Sequence, residues 1–174
     1  MPTIRRAVLT CATTGLALGL LAGTAQACPE PHRVKASGPT NTYVKAYKKV
    51  KTNVHVRTEH GKTTVRLKVT GMPKSAKGKR FGAHVHRNAC GPKPGAAGGH
   101  YQNPAAKPGT PLREKEVWLD IKVDRKGRAT SKAVVPWKIA KDTAGSVVVH
   151  AKPTDHQTGE AGDRLFCTTV PFGS

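Results

Sequence analysis

The chain has 174 residues, with 30 Lys plus Arg against 10 Asp plus Glu, a formal charge of +20, 8 His and 4 Cys. That length holds one domain with a tail rather than two full-sized domains, and 37% apolar with 23% charged residues excludes a collagen-like, coiled-coil or wholly disordered chain. Eighteen Gly and thirteen Pro point to many turns and few long helices; the positive excess implies a polyanionic neighbour or an anionic substrate.

Residues 1–27 read as a secretory signal peptide: a short basic start with Arg5 and Arg6, an apolar run over 7–23, and Ala25-Gln26-Ala27 as an A-x-A cleavage site. The apolar run is too short and too broken by Thr and Gly for a membrane span. Cleavage near Ala27 gives an exported chain, extracellular or held at the cell envelope, with 28 basic against 10 acidic residues. It also leaves an odd set of cysteines, Cys28, Cys90 and Cys167. A bridge between Cys90 and Cys167 would close a long loop, worth roughly 4 kcal/mol by chain entropy. Cys28 would then be a spare thiol at the new N-terminus; a lipid anchor there is the alternative, disfavoured by the residues before it. Residues 28–40 read as a flexible segment and 41–174 as the folded domain.

Period-two patterning dominates that domain. Val54 and Val56 alternate with polar neighbours, as do Val65, Leu67 and Val69, and Glu59-His60-Gly61-Lys62 is a turn signal, so 52–70 reads as a hairpin. Val117, Leu119, Ile121 and Val123 alternate likewise, before a turn at 124–127 and a further run over 128–138. Shorter candidate strands are 42–50, 81–86, 145–151 and 165–171. No sustained helical stripe is present. Seven or eight strands whose edges need closure imply an all-β, antiparallel barrel or sandwich. Residues 87–115 form a long Gly/Pro/Ala-rich connection, a length that marks functional or disordered loops.

The histidines favour function. In His84-Val85-His86 both imidazoles point to one face of a strand and can chelate one soft or borderline metal. The loop adds His100 in Gly98-Gly99-His100-Tyr101, and the apolar strand Val147-Val148-Val149 delivers His150. Four imidazole nitrogens suit tetragonal copper better than a hard cation.

With these motifs on the page, the chain resembles the secreted copper/zinc superoxide dismutases. The matching stretches are FGAHVHRNAC (81–90), AGGHYQNP (97–104), SVVVHAKPTD (146–155) and EAGDRLFC (160–167), in the family's order and with family-like spacing. The resemblance covers roughly residues 40–172. It implies a Greek-key β-barrel, copper ligation by His84, His86, His100 and His150, a Cys90–Cys167 disulfide, and Arg164 as the active-site arginine guiding superoxide. It also implies a catalytic role for His100, which in the family leaves copper and takes a proton on reduction.

One departure alters the expected metal content. Zinc-containing members follow the bridging histidine with two more histidines and an aspartate, whereas residues 101–123 here contain no histidine and the aspartate position falls at Val117 or Glu116. One carboxylate cannot complete a zinc site, so the expectation is a copper-only centre with zinc absent. The far nitrogen of His100 then needs another orienting partner, for which Glu114, Glu116 and Asp120 are the candidates.

The charge is concentrated: residues 41–87 hold thirteen Lys or Arg and one acid, against nine and seven in 116–174. The outward positions Tyr43, Lys45, Tyr47, Lys49, His55, Arg57, Arg66 and Lys68 form a basic, tyrosine-dotted face if the first strands make one meander. That face reads as attachment to an anionic surface such as cell-wall polymer, acidic polysaccharide or lipid headgroups, or as a solvated face that aids solubility. Nucleic acid is disfavoured because no recognition motif is visible. The functional reading is an exported copper-dependent superoxide dismutase; its alternatives are a non-catalytic copper-binding protein on the same scaffold and a basic surface-binding barrel.

Overall fold

A computed structural model describes residues 31–173. The leader, with its cleavage site, and Cys28 lie outside the described residues. The hairpin forms as the alternation dictates: β3 (Lys51–Glu59) and β4 (Lys62–Thr70) pair with Val54 opposite Leu67 and Val56 opposite Val65. His60 and Gly61, both at positive φ (47° and 72°), make the two-residue turn, the geometry whose twist matches that of the strands it joins.

This hairpin lies at the centre of a first antiparallel sheet of order β1-β3-β4-β8, where β1 is His32–Gly38 and β8 is Ala129–Val135. A second sheet has order β2-β10-β9-β6, built from β2 (Asn41–Thr42), β6 (Ala83–His86), β9 (Ser146–His150) and β10 (Arg164–Thr169). The short pair β5 (Arg80–Phe81) and β7 (Ile121–Lys122) closes one side. The chain crosses between the two four-stranded sheets after β1, after β2, after β4 by way of β5, after β6 by way of β7, and after β8, so the fold is the expected antiparallel Greek-key sandwich or barrel. One four-residue helix, α1 (Leu112–Lys115), lies in the long connection.

Between the sheets, Val54, Val56, Val65 and Leu67 meet Val85, Val147, Val149 and Phe166 in one core. Each such side chain removed from water contributes roughly 1.5–3 kcal/mol, which fixes strand register, because a one-residue slip would turn the valines outward. The two sheets differ on their other side. β3 and β4 alternate buried and exposed, whereas every residue of β6 and β9 is buried. The connection 87–115 covers the outer face of β6, β9 and β10, and a second small core of Ala97, Val148 and Cys167 sits beneath it. Cys90 and Cys167 are joined there by a disulfide that ties this cover to β10, with Cα atoms 5.8 Å apart.

Three expectations are revised. His32–Gly38, placed by sequence in a flexible 28–40 segment, is strand β1, paired with β3 from His32 opposite Thr58 to Gly38 opposite Thr52; its single buried Val34 gives too weak a period to read in sequence. The run 42–50 is not a strand beyond Thr42. It turns through a short 3-10 segment, Lys45–Tyr47, because Tyr47 packs inward against Phe81 and Phe166, with ring centroids 6.5 and 5.9 Å away. Tyr43 is also turned in, donating its hydroxyl to the Gly91 carbonyl at 3.2 Å. The basic face therefore carries no tyrosines, and β1 takes the place assigned to 42–50. Of the run 117–123, only Ile121–Lys122 is regular strand; Trp118 instead makes an isolated bridge to His84 on the edge of β6.

Candidate metal centre

Strand parity sets the first part of the site. In β6, Val85 enters the core, so His84 and His86 project to the outer face, beside Val148 of β9, which lies opposite His84 in register. His150, two residues beyond Val148, ends β9 on the same face.

His100 arrives by a different route. The segment 99–101 pairs along the free edge of β6 through Arg87 N–H to the Gly99 carbonyl (3.1 Å), Tyr101 N–H to the Val85 carbonyl (2.9 Å), and a bridge between His86 and His100. Tyr101, 2% exposed, anchors it in the core.

The four rings converge. His84 and His100 have centroids 4.0 Å apart, His86 and His100 4.8 Å, and His84 and His150 5.1 Å. One nitrogen of each lies within 4.8 Å of those of the other three. Every ring also has its remaining nitrogen engaged. His86 Nδ1 bonds the Gly98 carbonyl and His150 Nδ1 the Gly162 carbonyl, both at 3.0 Å. His84 Nε2 lies 2.8 Å from Thr154 Oγ1, which donates in turn to Asp120 Oδ1 at 2.7 Å. His100 Nδ1 lies 2.9 Å from Glu116 Oε2. The nitrogens left over face one another: His86 Nε2 and His150 Nε2 are 3.2 Å apart, and His84 Nδ1 is buried with no partner.

Such a cluster tolerates no proton easily. Burial, reinforced by the neighbouring rings, lowers His84 to about 2 and His86 to about 3, the latter despite the Gly98 carbonyl; burial lowers His150 to about 4 against the Gly162 carbonyl. Neutral imidazoles with free lone pairs aimed at one point are a metal-binding set, and an unpartnered buried nitrogen such as His84 Nδ1 costs stability until something fills the site.

Of the three acids that sequence offered for His100, Glu116 is the one in contact. Glu114 is exposed on α1, and Asp120 serves Thr154 and the Ala83 N–H (3.3 Å). Glu116 is 4% exposed and also accepts from Trp118 Nε1 (2.8 Å) and Gln102 Nε2 (2.9 Å). Burial alone would raise its carboxyl, but the donors His100, Trp118 and Gln102 outweigh it and hold it below the ordinary carboxylate range. Thr154, Trp118 and Gln102 were not singled out from sequence. Their signal is faint: each is a side-chain hydrogen-bonding group behind a histidine or its carboxylate, which only the packed structure reveals.

Arg164 reaches the site through a bulge. β10 pairs with β9 from Thr169 to Phe166, then shifts register, so that Arg164 lies opposite His150. Without that shift Arg164 would share the inward parity of Phe166; the extra residue re-aims it. Its guanidinium donates to the carbonyls of Pro94 (2.7 Å) and Gly98 (2.6 Å). The Gly98 carbonyl thus accepts from both His86 and Arg164. An open cavity of about 610 Å³ above the histidines is lined by His100, His150, Arg164 and Arg87, with Glu160 on its rim. His156, in contrast, is exposed and rests edge-on against Trp118, 5.7 Å between centroids.

No curated protein matches the chain. The family model for copper/zinc superoxide dismutase (SODC) matches residues 50–170, a span that holds all four histidines, both bridged cysteines and Arg164. With that match over most of its length, on an antiparallel sandwich whose covered face gathers four imidazoles, this chain belongs to the copper/zinc superoxide dismutase family.

Proposed function

We propose that the protein is an exported, copper-dependent superoxide dismutase whose zinc position has been lost. The observation that carries the proposal is the complementary bonding of the four histidines: each ring has one nitrogen held by protein and one left for a shared ion, His84 through Nδ1 and the others through Nε2. An all-imidazole donor set fits copper. Bound copper supplies the one-electron Cu(II)/Cu(I) couple by which two superoxide ions and two protons become dioxygen and hydrogen peroxide.

The remaining work falls to the protein. The Thr154–Asp120 pair and the two glycine carbonyls fix ring orientation and tautomer, the usual task of groups behind a ligating histidine. Glu116 does the same for His100, fixing Nδ1 so that Nε2 is turned to the shared ion. The catalytic role assigned to His100 is to pass a proton at Nε2 during turnover. Arg164, locked by two carbonyls, and Arg87 at the rim place two cations about the cavity mouth, where they attract an anionic substrate.

Glu116 also supports the zinc-free reading. The side of His100 that a bridging histidine would offer to zinc meets a carboxylate already accepting three donors. Export is supported by the leader-like sequence and by a disulfide suited to oxidising surroundings. The basic sheet face is read as the means of attachment to an anionic surface outside the cell.

Metal analysis and a superoxide assay of the copper-loaded protein test this reading. One copper per chain, no zinc and dismutation above that of free copper are expected. Stoichiometric copper without turnover would leave only a copper-binding protein, and tightly held zinc would overturn the copper-only assignment. A secreted form whose N-terminus is Cys28 is the expected processing product.

A further inference from the structure

The outer face of the first sheet carries a basic row, three cations and a histidine, that the metal centre does not use. In register across four strands, Lys35 of β1 lies opposite His55 of β3, His55 opposite Arg66 of β4, and Arg66 opposite Lys132 of β8. All four are exposed. At about 4.8 Å between strands, the row spans roughly 14 Å. Arg33 and Arg57 sit opposite each other one step along the strands on one side, and Lys68 one step on the other. Like charges set directly opposite one another destabilise a sheet, so folding alone gives no reason for this arrangement. Glu59, at the strand end, pairs with Arg57 (2.7 Å), whereas Lys35, Arg66 and Lys132 form no ion pair among the described residues.

Polar groups lie between the cations. Two adjoining depressions of about 590 and 350 Å³ share His55, Arg66 and Lys132, and their walls add Asn53, Thr64, Thr130 and Ser131 beside the apolar Val34, Val56 and Leu67. Neither holds a Phe, Tyr or Trp, so no large aromatic platform is there to stack a nucleobase. Val134 is the single large apolar side chain exposed on β8, too little to insert into a bilayer. Cations interleaved with amide and hydroxyl groups match a chain that carries both anionic groups and hydroxyls.

We propose that the outer face of the β1-β3-β4-β8 sheet is a docking surface for an acidic polysaccharide, whose carboxylate or sulfate groups meet the row Lys35, His55, Arg66 and Lys132. The inference deepens the attachment part of the proposed function and is independent of copper. It places the ligand on the sheet face opposite the metal centre's, so that binding leaves the cavity mouth open.

The experiment compares retention of the copper-loaded protein on immobilised polygalacturonate, over a salt series, with that of two triple variants. Lys35→Gln/Arg66→Gln/Lys132→Gln removes three charges from the row; Lys74→Gln/Lys77→Gln/Lys79→Gln removes three exposed charges elsewhere. The row variant is expected to bind at least about tenfold more weakly with a shallower salt dependence, and the control to change by less than about twofold. Equal weakening of both would show attraction by net charge alone and overturn the site. Absence of binding at low salt, or tighter retention on vesicles of anionic lipid than on polygalacturonate, would overturn the polysaccharide as occupant. Superoxide dismutation by the same three samples reports the enzymatic reading separately and is expected to be equal in all of them.

Discussion

The two sheets present their outer faces to opposite fates. Both are read by the same alternation, with valines turned to a common core and polar groups turned away from it. On β6 and β9 the outward groups include the imidazoles of His84, His86 and His150 beside Ser146 and Val148, and the 87–115 connection with its disulfide roofs them over. On β3 and β4 the outward groups are mostly Lys and Arg, with His55, Asn53, Glu59 and Thr64 among them, and nothing covers them. A covered polar group must have a specific partner, since burial without one costs about 1–3 kcal/mol; an open one is satisfied by water. The roofed face therefore holds individually bonded groups with perturbed protonation, while the open face tolerates a row of repelling charges. Chemistry is concentrated where water is excluded, and charge where it is not.

That contrast can be broken at several points. Replacing His86 or His150 with Ala removes one of four converging nitrogens, and copper content is expected to fall from one per chain to well below that, with dismutation lost; the equivalent change at His55 should alter neither. Opening the roof is next. The Cys90→Ala/Cys167→Ala variant releases a 77-residue loop, and calorimetry should show about 2–5 kcal/mol less stability together with weaker copper retention.

Glu116→Gln keeps shape but turns an all-acceptor group into one whose amide faces donors from His100, Trp118 and Gln102. A loss of about 10–100-fold in copper affinity or activity is expected, measured by competition with a chelator and by turnover. Asp120→Asn, one link further from the ring, should cost less.

Acid should act on the roofed face. In the unfolded chain His84, His86 and His150 take a proton near pH 6.5, whereas in the metal-free fold they do so only at about 2, 3 and 4. Between those limits the unfolded state binds more protons, so stability rises with pH. The metal-free protein should lose stability as pH falls below about 6.5, with a slope approaching 1.4 kcal/mol per pH unit for each imidazole. Copper should oppose this by binding the neutral rings, so chemical unfolding of the two forms between pH 7 and pH 4 is the measurement. The smallest effect belongs to the open face. Arg66→Gln should leave stability unchanged or raise it by up to about 0.5 kcal/mol by relieving repulsion from Lys132.

How much was legible follows the same division. Uninterrupted alternation located the 52–70 hairpin, strand parity the shared face of His84 and His86, and a continuous apolar run the buried strand ending at His150. It misread segments whose partners lie far away. Strand β1 has one inward valine and is held by β3, and Tyr43 and Tyr47 are drawn inward by groups elsewhere in the chain. Sequence narrowed the support of His100 to three acids, which parity cannot distinguish because 112–120 is mostly not regular strand.

By itself, the sequence determined what depends on local periodicity and residue chemistry: an all-β fold, the outward set of each unbroken strand, four imidazoles suited to copper, and a charge excess placed ahead of the metal motifs. Only the tertiary structure decided which face would be roofed, that a bulge turns Arg164 to the histidine side, that Glu116 rather than Glu114 or Asp120 holds His100, and that three cations and a histidine from four strands fall in one row. Each of those depends on register between distant segments. Periodicity along one strand does not encode it, because hydrogen bonding and packing between strands set it.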